Sequence, residues 1–411
     1  MDVVLAVLAA IPLLHWLARL GDLRRRGRSR FRVRGGEFPP SADGPLVSIL
    51  IPARDEEANI ERCLAAVLDQ DHPRWEAIVL DDHSSDATGT MVEQVHAADP
   101  RVRRVAGGAL AEGWKGKPNA LRQAAEQATG EWLLMIDADV ELSPTAISTA
   151  LGAAAAQGAE MVSWFAELQT VTFWERVLQP FIYDFILTHS DPGRVNDLAR
   201  EDAIANGQFI LIRADVYREV GGHEVVRASI VEDMAFARHV KAAGFRYRLL
   251  DGLGVMRTRM YSSFGEIWRG WTKNFFAGLH GRPAVVAAAL IYLAVTSLLP
   301  FALLEGLAVA AAVGHLLPIS LAVSAASVAA VAGYRIAVSG RYHPRSLLSV
   351  VLHPLAALVL AGIIAESARR AATGTPVTWK GRAYDAGGAS ADLPARADRS
   401  GASGNKPTPV P

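Results

Sequence analysis

From Ala284 to Val338 the sequence is almost continuously apolar, and Leu347 to Ala365 is apolar again. A helix needs ~20 residues to cross a bilayer, so the first block has room for two spans and the second for one. Lipid cannot satisfy exposed backbone polar groups, so such blocks must be helical. A third apolar stretch, Val3 to Leu20, is followed by RRRGRSRFRVR, with its basic residues at Arg24, Arg25, Arg26, Arg28, Arg30, Arg32 and Arg34. A signal peptide carries its basic residues before the apolar run. The reverse order predicts an uncleaved anchor with the following domain in the cytoplasm, a poorly cleaved export signal being the alternative. The C-terminal count stays open. Arg335, Arg341 and Arg345 read as a cytoplasmic loop, and Arg369, Arg370, Lys380 and Arg382 as a cytoplasmic tail. A single crossing by Leu347–Ala365 cannot satisfy both. Pro354 beside His353 makes a re-entrant or interfacial hairpin the other solution.

Between these blocks the pattern changes. GGEFPPSADGP (Gly35 to Pro45) breaks regular structure. From Leu46 to about Tyr247, strand-like and helix-like segments then alternate: VSILIPA, EANIERCLAAVLDQ, WEAIVLDD, a helix from Asp86 into Val95, RVRRVAG, NALRQAAEQA and WLLMIDAD. This alternation predicts right-handed crossovers and an α/β domain with a mostly parallel sheet. The 42 basic and 42 acidic residues balance, which gives no reason to expect a nucleic-acid partner. The single cysteine, Cys63, excludes an internal disulfide framework and fits a reducing compartment. Its apolar surroundings, Ile60 to Leu68, predict a small buried side chain.

The predicted strands end on polar residues, at the edge where open α/β sheets bind ligands. WLLMIDAD ends on Asp137 and Asp139, which strand alternation would project from one face. Two carboxylates there can hold a hard cation such as Mg²⁺ or Mn²⁺, and through it a nucleotide diphosphate. IVLDDHSSDAT ends on Asp81 and Asp82, where a carboxylate could accept hydrogen bonds from a base or ribose; helix capping by Ser85 or Asp86 is the competing reading. IPARDEE places Ala53, Arg54 and Glu56 on the same edge. GWKGKPNAL sets Lys115, Lys117 and Asn119 before a helix, where they can face phosphates or form a solvated lysine pair. Glu232 and Asp233 begin a predicted helix, a position favoured by the helix dipole alone. In the functional reading Asp233 is a general base. NGQFILIR offers Asn206 and Gln208 to a sugar or acceptor hydroxyl.

Two amphipathic stretches stand apart. Phe173, Trp174, Val177, Leu178, Phe181, Ile182, Phe185 and Ile186 recur at helical spacing, as do Phe264, Ile267, Trp268, Trp271, Phe275 and Leu279. Core packing and an interfacial helix are both compatible with this. For the first stretch we expect the entrance of an apolar acceptor, with a lipid tail lying along the stripe.

In order and spacing, IPARDEE, DDHSSD, KGKPNAL, DAD, NGQF, VED and RGW resemble glycosyltransferase family 2, with its GT-A fold, over roughly residues 46 to 275. Within the family the sequence looks closest to membrane enzymes near the carotenoid- and hopanoid-associated glycosyltransferases, and WKGRAY (Trp379 to Tyr384) is similar to a tail element of that group. The resemblance implies that Asp81 or Asp82 reads the nucleotide base and that Asp137 and Asp139 hold ribose and metal. It makes Asp233 the catalytic base, with Glu232 next in line, and sets Arg269 and Trp271 beside Asn206 and Gln208 on the acceptor side. One departure matters. Processive synthases carry Gln-x-x-Arg-Trp after the base, whereas IWRGW matches only at Trp271, with Arg269 displaced, which argues for single-sugar transfer.

The expected protein is thus an inverting, metal-dependent transferase moving one sugar from a nucleotide-diphosphate sugar, UDP-linked by resemblance, to a hydroxyl of a membrane lipid or isoprenoid. A processive polysaccharide synthase and a catalytically silent scaffold are the alternatives. The expected organisation is an anchor (1–22), a basic segment and linker (23–45), a GT-A catalytic domain (46–282), about three C-terminal transmembrane helices (283–368) and a largely disordered tail (369–411). The chain would be a multi-pass protein of the cell membrane with its catalytic domain in the cytoplasm.

Overall fold

The computed structural model describes residues 1–26, 31–189, 192–251, 254–339 and 346–384. Arg28, Arg30, Arg341, Arg345 and the tail beyond Tyr384 lie outside them. Helix α1 (Asp2–Arg26) leads into an α/β domain. In chain order this contains β1 (Val47–Ala53), α2 (Ile60–Leu68), β2 (Trp75–Asp81), α3 (Thr88–Ala98), β3 (Val102–Ala106), α4 (Gly116–Glu126) and β4 (Trp132–Met135). It continues through β5 (Val140–Leu142), α5 (Ala146–Gln157), β6 (Met161–Trp164), β7 (Glu167–Leu168), α6 (Phe173–His189), α7 (Pro192–Val195), β8 (Ile210–Arg213), α8 (Ala214–Glu219), α9 (Glu232–Ala242), β9 (Tyr247–Leu250), β10 (Met256–Thr258) and α10 (Phe264–Gly278). Beyond it come α11 (Pro283–Leu293), α12 (Leu299–Ala312), α13 (Pro318–Val338), α14 (Leu347–Val351) and α15 (His353–Thr373), and a hairpin of β11 (Val377–Trp379) and β12 (Arg382–Tyr384).

The central sheet has the order β3-β2-β1-β4-β8-β6-β9. Every neighbouring pair is parallel except β4/β8 and β6/β8, so β8 alone runs against the rest. The apolar runs are unbroken because both faces are covered. Ile49, Ile51, Val79 and Leu134 enter the core on one face, with α2 and α5, while Leu50, Ile78, Leu80, Leu133 and Met135 enter the core on the other, with α4 and α9. Cys63 is buried in the first of these, as expected. A second sheet, β5-β10-β7, flanks the end of β4. The segment after α1 is no free linker: Phe31 and Val33 are buried in the domain core, and Val33 N donates to Asp251 O at 2.9 Å.

Three helical segments are long and apolar enough to cross a membrane: Asp2–Arg25, Pro283–Ala312 and Pro318–Val338. The middle one is α11 and α12 joined through a π-turn at Ala294–Leu298. Two of the three therefore follow the α/β domain, where about three were expected. Leu347–Ala365 is instead broken at Leu352, between α14 and α15. Helix α15 does not stand alone. Its Ala357, Leu360, Ile363 and Ile364 are buried against α6, α10 and α11.

The same packing corrects the reading of the amphipathic stripe. Val177, Leu178, Phe181, Ile182 and Phe185 of α6 are buried with Trp271 and Phe275 of α10, so most of the stripe is helix packing and only its Phe185–Ile186 end reaches the cavity; Phe173 is exposed. The wide stripe is wide because α6 packs on several helices at once.

A buried ion pair locks this seam. Arg335 of α13 is 1% exposed and binds Asp184 of α6. From α1, Arg19 Nη2 donates to Thr188 Oγ1 at 2.9 Å. Breaking a buried pair by removing one partner costs ~3–5 kcal/mol, whereas apolar replacement of both is often neutral. We therefore expect Asp184→Ala to lower the melting temperature of the detergent-solubilised protein strongly, and Asp184→Leu with Arg335→Met to restore most of it. Equal losses in the two would contradict a desolvated lock.

Candidate active site

The carboxyl ends of β1, β2 and β4 converge where the chain order of the sheet reverses, at the β1/β4 boundary, the usual ligand crevice of such sheets. Strand β4 stops at Met135, so Asp137 and Asp139 lie in the connection to β5 and their placement does not follow from strand alternation. Two turns with left-handed residues shape the adjoining edge: Asp55 after β1 (φ 51°) and His83 after β2 (φ 60°). They are knitted together, since Asp55 N donates to Ser84 Oγ at 3.1 Å and Ser85 N to Asp55 Oδ1 at 2.8 Å. Asp86 accepts from Thr88 N at 3.0 Å and from Glu57 N at 3.0 Å, tying the start of α3 to the turn after β1.

Lys117, in the first turn of α4, ties the centre together. Its Nζ lies 2.6 Å from Asp137 Oδ1 and 3.1 Å from Glu232 Oε1. Burial opposes its charge, but Asp137, Glu232 and Asp233 outweigh burial and hold the ammonium well above its ordinary range. Asp233 accepts from Gly207 N at 2.8 Å and from Met234 N at 2.8 Å. A Cβ at position 207 would come within 2.8 Å of Lys117 Nζ and 3.2 Å of Asp233 Oδ2, so a side chain there would push Lys117 aside. Burial, then the neighbouring Glu232, pushes the Asp233 carboxyl up to about 6, against the pull of Lys117 and the two N–H groups.

Asp139 is pushed further, to about 8, by burial and then by Asp137 and Glu56. Its Oδ1 is buried without a hydrogen-bond partner. Like-charged carboxylates around an orphaned oxygen fit a divalent cation, which would relieve the repulsion. Among the described residues no group of three or more His, Cys, Asp or Glu forms a complete cage. Asp139 and Asp137 would therefore supply part of the coordination and leave positions for substrate oxygens, as Mg²⁺ sites commonly do.

The site opens into one cavity of about 1910 Å³. Ala53, Arg54, Glu56, Asp82, Lys115, Lys117, Asp137, Asp139, Asn206, Gln208, Glu232, Asp233, Arg269 and Trp271 all line it. Several of them are anchored by the fold. Gln208 Nε2 donates to Thr258 Oγ1 at 3.1 Å and Asn206 Nδ2 to Trp164 O at 3.0 Å, which fixes the loop presenting Gly207. Trp271 Nε1 donates to Gln179 Oε1 at 3.1 Å, leaving the ring as wall.

Two expected donor residues are elsewhere. Asp81 is buried and paired with Arg104 at 2.6 Å, and also accepts from Ser84 N at 2.9 Å. Asn119 is 1% exposed and accepts from Arg122 at 3.2 Å. Neither lines the cavity: Asp81 turns to Arg104 of β3, and Asn119 falls on the inner face of α4.

The sequence reading placed WKGRAY, with Lys380 and Arg382, in a largely disordered tail, whereas α15 runs to Thr373 and Val377–Tyr384 forms a hairpin. It closes over the Glu56 and Asp82 end of the cavity. Arg382 grips both oxygens of Asp82, with Nη2 2.8 Å from Oδ1, and Lys380 binds Glu56. Arg54 Nε donates to Lys380 O at 2.9 Å, and Lys273 Nζ lies 5.0 Å from the centre of the Tyr384 ring.

Residues 48–221 match the family described as Glycosyl transferase family 2. The matched stretch runs from β1 to just past α8 and is similar to that family. The curated relatives include 4,4'-diaponeurosporenoate glycosyltransferase of Staphylococcus aureus: strain MRSA252 is 26% identical over 357 residues, covering 82% of this chain and 88% of the relative. The protein of strain USA300 is 25% identical over 359 residues, with the same coverage. Among solved structures, a mannosyltransferase from Pyrobaculum calidifontis in complex with GDP-Man and Mn²⁺ superposes with a TM-score of 0.49 at 20% identity, covering 90% of this chain and 98% of that one.

The raised Asp139 carboxyl has a consequence for stability. The folded protein holds this proton up to about pH 8, whereas an unfolded chain releases it near the ordinary value of 3.8. Folding thus takes up a proton between those limits, and the stabilisation is full at low pH and lost as pH rises towards 8. In EDTA, we expect the melting temperature to fall from pH 5 to pH 8, and Asp139→Asn to flatten that fall. An unchanged slope in the variant would contradict the assignment.

Proposed function

We propose that the protein transfers a single sugar, with inversion, from a nucleotide-diphosphate sugar to an oxygen of a membrane lipid or isoprenoid of the carotenoid type. The observation that carries this reading is the continuity of the cavity. It runs from the Asp137, Asp139 and Asp233 carboxylates to Val285, Ala289 and Tyr292 of α11, the first apolar segment after the catalytic domain. A polar donor end and an apolar end on a membrane helix suit a water-soluble donor and a lipid acceptor. The carotenoid class is supported by the name of the Staphylococcus aureus relatives. A UDP-linked donor and a cytoplasmic active site follow the sequence resemblance and the basic flank of α1.

In this mechanism Asp233 accepts the proton of an acceptor hydroxyl as that oxygen attacks the anomeric carbon from the side opposite the diphosphate, so the anomeric configuration inverts. Gly207 N and Met234 N orient the carboxylate, and Lys117 keeps it ionisable. Asp139 and Asp137 would hold Mg²⁺ or Mn²⁺, which offsets the charge that grows on the leaving diphosphate. Arg54, Lys115, Lys380 and Arg382 supply fixed positive charge around the same end. With one sugar transferred per acceptor, the displaced arginine of IWRGW needs no processive role.

Incubating membranes that contain the protein with radiolabelled nucleotide sugars and extracting the lipid tests the reading. Label is expected in the organic phase, lost with EDTA and restored by Mn²⁺ or Mg²⁺. Label only in water-soluble polymer would overturn it.

Asp233→Asn should lower transfer by ~10²–10⁴-fold with nucleotide affinity unchanged. A base must be ionised to act, so the rate should fall as pH drops through about 6. Removing the Lys117 charge, as in Lys117→Met, raises the Asp233 carboxyl further and should move that limb to higher pH. A pH profile with its acid limb near 4, or one that Lys117→Met leaves in place, would assign the base elsewhere.

A further inference from the structure

Several cations around the carboxylate centre are already engaged. Lys117 pairs with Asp137 and Glu232, Lys380 with Glu56 and Arg382 with Asp82. Arg54 donates to the carbonyls of Asp82 and Lys380. Lys273 of α10 is held differently. It lines the same cavity, and among the described residues no carboxylate stands within ion-pair distance of it. Its Nζ instead faces two rings, 5.0 Å from the centre of Tyr384 and 5.7 Å from that of Trp379. Aromatic faces hold a cation in place without cancelling its charge, as a carboxylate would. The carboxylate centre still acts on it: burial holds the ammonium below its ordinary range, and Glu232, Lys117, Asp137 and Lys380 follow in effect. A half-buried, uncancelled charge thus stands beside acids that are paired to other groups.

The same face of α10 is closed one turn earlier. Gly270 precedes Lys273 by three residues, so the two are neighbours on the helix surface, and Gly270 stands where the Gln-x-x-Arg-Trp pattern has its arginine. A Cβ there would come within 2.4 Å of Tyr261 Cζ and Oη. Tyr261 cannot easily give way, because its ring packs edge-on against Trp271 and Trp379, with centres 6.1 Å and 5.6 Å apart. Arg269 does not substitute, for it lies back along α10, its Nη1 3.2 Å from where a Cβ of Gly265 would stand. The charge that this helix face offers the centre therefore comes from Lys273.

We propose that Lys273 is a donor-binding residue whose ammonium, held by the Trp379 and Tyr384 rings, binds the phosphate that bears the sugar. The inference rests on the proposed function, which seats a nucleotide diphosphate at Asp137 and Asp139 with its anomeric carbon towards Asp233. That phosphate then lies between the cation end and the base. Lys273 feels both sides of this gap, Asp137 on one and Glu232, the neighbour of the base, on the other. As the bond to the anomeric carbon breaks, negative charge grows on this phosphate, and a fixed ammonium with no acid of its own is well suited to stabilise it.

Calorimetry of the full-length protein in phosphatidylcholine nanodiscs, with Mn²⁺ present, compares UDP with UMP, which lacks that phosphate. Lys273→Gln should weaken UDP by at least ~10-fold, as loss of a charge-assisted contact does, and UMP far less. Lys273→Arg keeps the charge and should retain most of the UDP affinity. Unchanged UDP affinity in Lys273→Gln overturns the inference. So does equal weakening of UDP and UMP, which marks a lysine that only braces the hairpin.

A second measurement uses the wild type and does not depend on how the variants fold. Uridine diphosphopyridoxal carries an aldehyde on the group attached to its terminal phosphate. An amine condenses with that aldehyde to an imine, releasing water, and borohydride reduces the imine to a stable secondary amine. Peptide mapping should find this label on Lys273, and excess UDP should prevent it. Label confined to other lysines contradicts the assignment. Failure of the proposed function looks different: a wild type that does not bind UDP with Mn²⁺ removes the transferase reading with its UDP donor, whereas UDP binding that Lys273→Gln leaves unchanged removes this inference alone.

Discussion

Lys117 sits between carboxylates that would otherwise repel one another. It draws Asp137, from the connection after β4, towards Glu232, at the start of α9, two elements more than ninety residues apart in the chain. Glu56 and Asp139 crowd the same end of the sheet, and the cost is visible in the raised Asp139 and Asp233 carboxyls. A fold stores such congestion only where something else supports it. Here the support is a sheet buried on both faces, which holds the ends of β1, β2 and β4 whether or not their acids repel. Under the proposed function, that tension is what a bound cation would relieve.

The second constraint is the seam with the membrane helices. Helix α6 is at once an element of the catalytic domain and the floor on which α15 and α13 rest. Because α6 also lends Tyr183, Phe185 and Thr188 to the cavity wall, the cavity is built in part from the joint itself. Under the proposed function, donor chemistry and acceptor delivery would depend on one set of packed helices. The hairpin after α15 extends the dependence, for it brings Lys380 and Arg382 back from the membrane side to Glu56 and Asp82.

Much of this was legible in the sequence, for identifiable reasons. Strands β1 to β4 announce themselves because burial on both faces demands unbroken apolar runs, and their polar ends mark the ligand edge whatever the register. Asp137, Asp139 and Asp233 could be picked out because they interrupt or follow such runs. What could not be read depends on contacts distant in sequence. The reversal of β8 is set by its neighbours β4 and β6, not by its own residues. Asp81 and Asp82 are indistinguishable by type, and the partner that removes Asp81 from the site, Arg104, lies on another strand. The pairing of Arg382 with Asp82 spans 300 residues. The stripe on α6 was correctly seen as apolar, but periodicity cannot distinguish a lipid from a neighbouring helix.

The central claim is that the congested carboxylates form the cation and diphosphate site. Calorimetry of Mn²⁺ with UDP binding at pH 7, repeated in buffers of different ionisation enthalpy, tests it most directly. With the Asp139 carboxyl at about 8, a proton should leave as the cation binds. The apparent enthalpy should then vary linearly with that of the buffer, and Asp139→Asn should abolish the dependence. Tight binding of Mn²⁺ and UDP with no proton released by the wild-type protein would contradict the account.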